Sequence, residues 1–304
     1  MATATATKTA NGARRARSAA GLDGGGRRHE GARITVRRPE FDFSKTPKYW
    51  FLDNAALTRY MDGMASLFPD GEMFFVNSVR AVRGEIADED LQKQISAFIG
   101  QEAMHAKAHR AFDAYLAQTG LPIGECEAVA NRLLNLIKPL HSKNLELAVT
   151  AALEHFTATW AQRLLTHDVT RERFLAPEMR RLFTWHAIEE SEHKAVAFDV
   201  FKAVGGNYPT RAFAMFLAMA FLPPALVYIE FKLLRHDHQL GNLRGWAKGL
   251  WYMFGPTGFF PPTIPVLFDY YRPGFHPNDH DASEAMAARK HELGLDAQPT
   301  VAEA

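Results

Sequence analysis

Cysteine is almost missing from this chain: of 304 residues, only Cys126 carries a thiol. A single thiol excludes an internal disulfide and a thiolate-built zinc site, and it fits a reducing compartment. The expected location is therefore cytoplasmic, free or membrane-associated. An excess of charge of one sign is also lacking. With 35 basic and 34 acidic residues and a formal net charge of +1, nothing electrostatic calls for a nucleic-acid partner. No Gly-x-Ser-x-Gly elbow or glycine-rich phosphate loop occurs, and no stretch alternates with period two as a strand would. Thirteen histidines are present, so a metal would be held through nitrogen and oxygen.

The first forty residues lack the apolar run of a secretory signal. Met1 to Gly31 is Ala, Thr, Gly and Arg, too poor in apolar side chains to offset its ordering entropy. Residues 1–38 are read as a disordered basic tail; an organelle transit peptide has a similar composition. Residues 39–205 are expected to form an antiparallel four-helix bundle with minor helices. Residues 206–273 are read as a hydrophobic helical extension packed on it, and 274–304 as a polar, loosely ordered tail.

Helical periodicity dominates from Pro47 onward. A short first helix is predicted over Asn54–Phe68, and after a break at Phe68–Gly71 a second runs from Glu72 to Glu85. Ala87–Asp90 reads as a turn, with Asp88 capping a long helix to Gln118. A shorter helix around Glu125–Lys138 precedes long ones over Ser142–His167 and Pro177–Ala203. Beyond Gly206, Ala212–Ile229 is apolar without a charge and interrupted by Pro223-Pro224, which would kink a helix. Trp246–Tyr271 is a second apolar stretch. The two form either a hairpin packed on the bundle or a surface that touches a membrane and admits a greasy substrate.

Two Glu-x-x-His motifs carry the chemistry: Glu102-Ala103-Met104-His105 and Glu190-Ser191-Glu192-His193. At this spacing Glu and His project from one helix face and can grip one ion. A di-metal bundle site needs one further Glu from each of two other helices. Glu72 and Glu102 are equidistant from Ala87 in the first turn, so they face each other across a hairpin. Glu154 and Glu190 are equidistant from Glu172 in the second connection, and Glu146 is the weaker rival to Glu154. His186, one turn before Glu190, lies within roughly 60° of Glu190 and His193 on a helical wheel and is a seventh ligand. Glu192 points away and is read as a solvated rim residue. Gln101 and Glu189, each just before a ligand Glu, are placed to hydrogen-bond ligand histidines, and His109 lies one turn after His105. Any one of these residues alone reads as ordinary helix surface; agreement of spacing and height across four helices argues for the set.

The stretch from Glu72 to His193 resembles ferritin-like di-iron proteins. His186-x-x-x-Glu190-x-x-His193 resembles the three-histidine, four-carboxylate site of the p-aminobenzoate N-oxygenase type. The segments Phe98-Ile99-Gly100-Gln101-Glu102, Ala152-Leu153-Glu154-His155-Phe156 and Trp185-His186-Ala187-Ile188-Glu189-Glu190 are similar to those of the bacterial "predicted metal-dependent hydrolase" family, over about Arg38 to Pro273. The apolar segments after Gly206 depart from the N-oxygenase pattern, so its arylamine substrate is not carried over.

Glu72, Glu102, His105, Glu154, His186, Glu190 and His193 are thus the expected ligands of two iron ions, with manganese or zinc as alternatives. The leading expectation is an O₂-activating oxygenase or oxidase with a hydrophobic, lipid-like substrate and an external electron donor. The alternatives are hydrolysis by a metal-activated water and a non-catalytic iron-binding bundle.

Overall fold

A computed structural model of the chain describes residues 34–137 and 142–295, without the side chains of residues 136, 137, 168 and 169. Residues 1–33 of the tail expected over 1–38, and residues 296–304 of the one expected over 274–304, lie outside the described residues. The fold is all-α, with no strand among the described residues.

Local chemistry sets the helix starts. Asn54 caps α1 (Ala55–Ala65) by accepting from the Leu57 N–H, and Asp88 caps α3 (Glu89–Gln118) by accepting from Asp90 and Leu91. Between them α2 spans Phe68–Val82. The predicted break at Phe68–Gly71 is instead the first turn of α2: Pro69 sits where a helix has no use for an N–H, and Asp70 faces the positive end of the dipole. After α4 (Ile123–Ile137), Ser142 caps α5 (Lys143–Thr166), and a short α6 (Asp168–Glu172) leads to α7 (Pro177–His193).

The single helix expected over Pro177–Ala203 is two. It ends at His193, and α8 (Val196–Ala203) begins after a two-residue turn in which the Lys194 ammonium donates to the His280 carbonyl. No Gly or Pro marks this break; the Lys194 bond to a distant segment holds it. By contrast α9 (Tyr208–His236) runs uninterrupted through Pro223 and Pro224. The remaining helices are α10 (Leu243–Phe254), α11 (Thr263–Asp269) and α12 (Ser283–Glu292).

α2 packs on α3, α3 on α7, α7 on α5 and α5 on α2, closing a ring of four helices. α9 lies along α1 and α5, where Gly63 lets Ile229 approach: a Cβ at 63 would stand 2.6 Å from Ile229 Cγ2. The core divides into two apolar clusters. One gathers Trp50, Phe112, Leu165, Met179, Leu182 and Phe183; the other Phe75, Ile95, Phe98, Leu147, Val196 and Phe201. The buried polar residues of the ring, Glu72, Glu102, His105, Glu154, Glu190 and His193 among them, are shielded from water.

Both expected tail boundaries move. Val36 packs into the space left by Gly100, where a Cβ would stand 2.7 Å away, and Arg37 beside it is buried. Residues 34–38 therefore belong to the folded body, not to a disordered tail. At the other end Phe275 is core and α12 packs on α5 and α7, so the polar pattern after Pro273 is that of an amphipathic surface layer.

Candidate metal centre

The structure brings all seven expected ligands to one place, from α2 (Glu72), α3 (Glu102, His105), α5 (Glu154) and α7 (His186, Glu190, His193). None is more than 4 % exposed. Glu190 is the hub: its Oε1 lies 3.0 Å from His186 Nε2, 3.7 Å from His193 Nε2 and 3.8 Å from His105 Nδ1. His193 Nε2 also stands 3.0 Å from Glu102 and 3.4 Å from Glu154, and Glu72 Oε1 is 3.8 Å from His186 Nε2. Every ligand except Glu154 belongs to a triad whose donor atoms lie within 4.8 Å of one another; Glu154 joins through His193. The rival Glu146 is half-buried and in none of these contacts. Donors around a metal with bonds of roughly 2.1 Å sit about 3 Å apart, close to the shorter spacings seen here.

A surrounding layer aims the rings. The Gln101 amide N–H donates both to the Thr35 carbonyl and to Glu192, which leaves its Oε1 to accept from His193 Nδ1–H at 2.9 Å. His193 Nε2 is then the ring nitrogen that faces the carboxylates. Glu189 does the same for His105: its Oε2 is 3.1 Å from His105 Nε2, so Nδ1 faces the centre. Trp185 and Arg37 donate to the other Glu189 oxygen. Arg37 also grips Glu192 through two bonds of 2.8 and 2.9 Å, and Lys290 reaches the same carboxylate. His109 Nε2 meets His186 Nδ1 at 2.6 Å, leaving His186 Nε2 toward Glu190. Thr157 donates to Glu190 Oε2.

Glu192 is thus corrected. It is no rim residue but a buried link, because residues 34–38 and α12 cover the face of α7 that the helical wheel leaves toward solvent. Sequence reasoning also missed Arg37, Thr157, Trp185 and Lys290. For Arg37 no signal existed: only folding brings it to residues more than 150 positions away.

Charge is unbalanced without a cation. Burial, then repulsion from Glu102 and Glu190, drives the Glu72 carboxyl well above its usual range; burial likewise raises Glu154 and Glu102 against the pull of His193. Burial opposes ionisation of Glu190 too, but the hydrogen bond from His186 and the nearby positive charge of His193 outweigh it and hold it low. Burial and neighbouring histidines keep His105 neutral, while Glu154 and Glu102 overcome burial to raise His193. Both oxygens of Glu72, Glu102 and Glu154, with His105 Nδ1 and His193 Nε2, are buried and make no hydrogen bond. Leaving such groups bare costs a fold kilocalories each, and a divalent pair would satisfy them together. Four carboxylates and three imidazoles fit that role.

A family model described as "predicted metal-dependent hydrolase" matches residues 35–281. This chain belongs to that family. No curated protein and no solved structure matches it. The match spans the ring of helices and the apolar α9–α11 region alike.

Next to the centre this member of the predicted metal-dependent hydrolase family has a cavity of about 80 Å³. His186 and Glu190 form one part of its wall. The rest is almost wholly apolar: Tyr60, Met61 and Met64 from α1, Phe68, Trp160 and Leu164, and Phe259 and Phe260 from the loop after α10. Phe68 packs at a tilt against both His186 and His109, at 4.7 Å between ring centres.

Proposed function

We propose that this protein is a metal-dependent enzyme with a dinuclear, ferritin-like centre held by Glu72, Glu102, His105, Glu154, His186, Glu190 and His193, and that it acts on an apolar small molecule. The observation that carries the reading is the set of six bare carboxylate oxygens and two bare imidazole nitrogens, buried together beside an apolar cavity. An ordinary structural core has no reason to assemble them. When bound, the metal pair would supply Lewis acidity toward a water nucleophile or, with an external electron donor, redox capacity toward O₂.

The protein's own residues do the positioning. Gln101 and Glu189 hold the far nitrogens of His193 and His105, so each ring points its other nitrogen at the centre, and a metal displaces any proton there without turning the ring. Thr157 pins Glu190 at the cavity wall, and the two apolar clusters exclude bulk water. A substrate in the cavity would meet the centre on the side of His186 and Glu190, its apolar part against Phe68, Met64 and Trp160.

The family's description favours hydrolysis as the reaction class, with the scissile bond of an apolar ester or amide placed beside Glu190. The cavity favours a second reading, oxidation of the substrate with O₂ on an iron pair. Its few polar side chains are largely engaged: Glu190 holds Thr157, and Thr170 bonds Tyr252. That leaves little to stabilise charge developing on a leaving group. One experiment separates the two. The purified protein is analysed for metal, reloaded with iron, manganese or zinc, and assayed with long-chain p-nitrophenyl esters under argon and in air. Ester cleavage under argon establishes hydrolysis. Reductant-driven O₂ uptake by the iron form, with no cleavage, establishes oxidation. A protein that binds no metal from any of the three would overturn both.

A further inference from the structure

α10 is seated along one side, where Trp246 and Tyr252 are half-buried, and open on the other. Only Gly249 and Met253 are buried; Gly249 rests on Ala56, and the Asn54 amide holds the Gly245 carbonyl at 3.0 Å. The open side carries Leu243, Leu250, Trp251 and Phe254, with Leu243 at 77 % and Trp251 at 69 % exposure. Such side chains in water are costly, and tryptophan in particular favours a boundary between oil and water. Arg244 and Lys248 are exposed on the same helix and form no ion pair among the described residues. Between Phe213 and Phe268 the chain has just two acids, Glu230 and Asp237. The first is buried and the second is held by Lys48 and Arg59, so this segment carries no free carboxylate of its own.

We propose that the open face of α10 docks on an anionic lipid surface, with Leu250, Trp251 and Phe254 entering the headgroup boundary and Arg244 and Lys248 meeting lipid phosphates. Basic residues interleaved with aromatic and aliphatic ones on a short helix suit that boundary. A second copy of this chain suits it poorly, because a two-fold contact would set Arg244 and Lys248 against their own equivalents with no acid to pair them. The location also matters for access. The Phe254 ring packs on Phe260 at 5.3 Å, and Phe260 lines the cavity beside His186 and Glu190. An apolar molecule leaving the bilayer at α10 would then reach the cavity past Phe254 and Phe260. This delivery role rests on the reading of the cavity as a substrate site; the docking itself does not.

The test is vesicle sedimentation of the full metal-loaded chain, so its result is independent of turnover. Vesicles are phosphatidylcholine alone or with about a third phosphatidylglycerol. The protein is expected to sediment with the anionic vesicles and far less with the neutral ones. Leu250→Ser with Trp251→Ser, and separately Arg244→Glu with Lys248→Glu, should each lower partitioning about tenfold or more while metal content stays unchanged. Quenching of tryptophan emission by brominated lipid should largely vanish in Trp251→Phe. The basic segment 1–33 is common to every variant, so binding that survives the α10 substitutions overturns the proposal. So does equal binding to neutral vesicles, or binding lost only on substituting the open face of α9, as in Phe216→Ser with Val227→Ser. A dimer in light scattering that the α10 variants dissociate would make the face a contact between copies and overturn it as well.

Discussion

At the scale of the residue, the centre is a problem of charge and its neighbours are a problem of aim. Glu190 touches all three ligand histidines, so its carboxylate has no substitute. Glu190→Ala, or Glu102→Ala, is expected to abolish binding of the metal pair, read as metal per chain after dialysis. Two metals retained in both variants would refute the ligand assignment. Arg37 acts one step out, holding Glu189 and Glu192, which in turn set His105 and, through Gln101, His193. Arg37→Met leaves two buried carboxylates poorly compensated and should weaken metal affinity about 10- to 100-fold in a chelator competition. Adding Glu189→Gln removes one of those charges, so the double variant should recover part of the affinity. A double variant weaker than Arg37→Met alone would mean that Glu189 acts on His105 by its charge and not through relief of repulsion.

At the scale of the element, capping residues made the bundle legible: Asn54, Asp88 and Ser142 each stand one residue before the helix they start. The failures also have causes. Pro69 reads as a breaker when taken alone, but as a first-turn residue it belongs inside the helix. Pro223 and Pro224 do not stop α9, whose buried side is held along its length by α1 and α5. The turn between α7 and α8 has no local breaker at all. The contact of α1 with α9 turns on Gly63, invisible as a packing residue until its partner Ile229 is known. Gly63→Val should overpack this contact and cost about 1–3 kcal/mol in urea unfolding. Ile229→Ala in the same chain should recover much of that cost; additive losses would place the strain elsewhere.

At the scale of the whole molecule, the gathering of the seven Glu and His residues was legible because motif spacing and hairpin symmetry are local and repeating, whereas its support was not. Arg37 and Lys290 reach α7 from the two ends of the described chain, and no periodicity links them to it. The same limitation hid Asp113, which continues the inner face of α3 one turn beyond His109. It is 3 % exposed, and neither of its oxygens finds a hydrogen bond. Burial first, with repulsion from Glu127, Asp62 and Asp70, pushes its carboxyl up to about 8 from 3.8. The consequence for stability has a definite sign. Below pH 3.8 the carboxyl is protonated in both folded and unfolded chains and has no effect. Above that value the unfolded chain releases the proton while the folded one keeps it, so the contribution to stability falls by up to about 1.4 kcal/mol per pH unit until pH 8. Other groups titrate in the same window, so the informative quantity is the difference between the protein and its Asp113→Asn variant, which cancels them. The amide side chain has no charge to bury, and the variant should gain on the parent steadily from pH 5 to 8 in urea unfolding. A difference independent of pH would mean that Asp113 ionises in the folded protein as readily as in water, and that a cation or a bound water stands beside it.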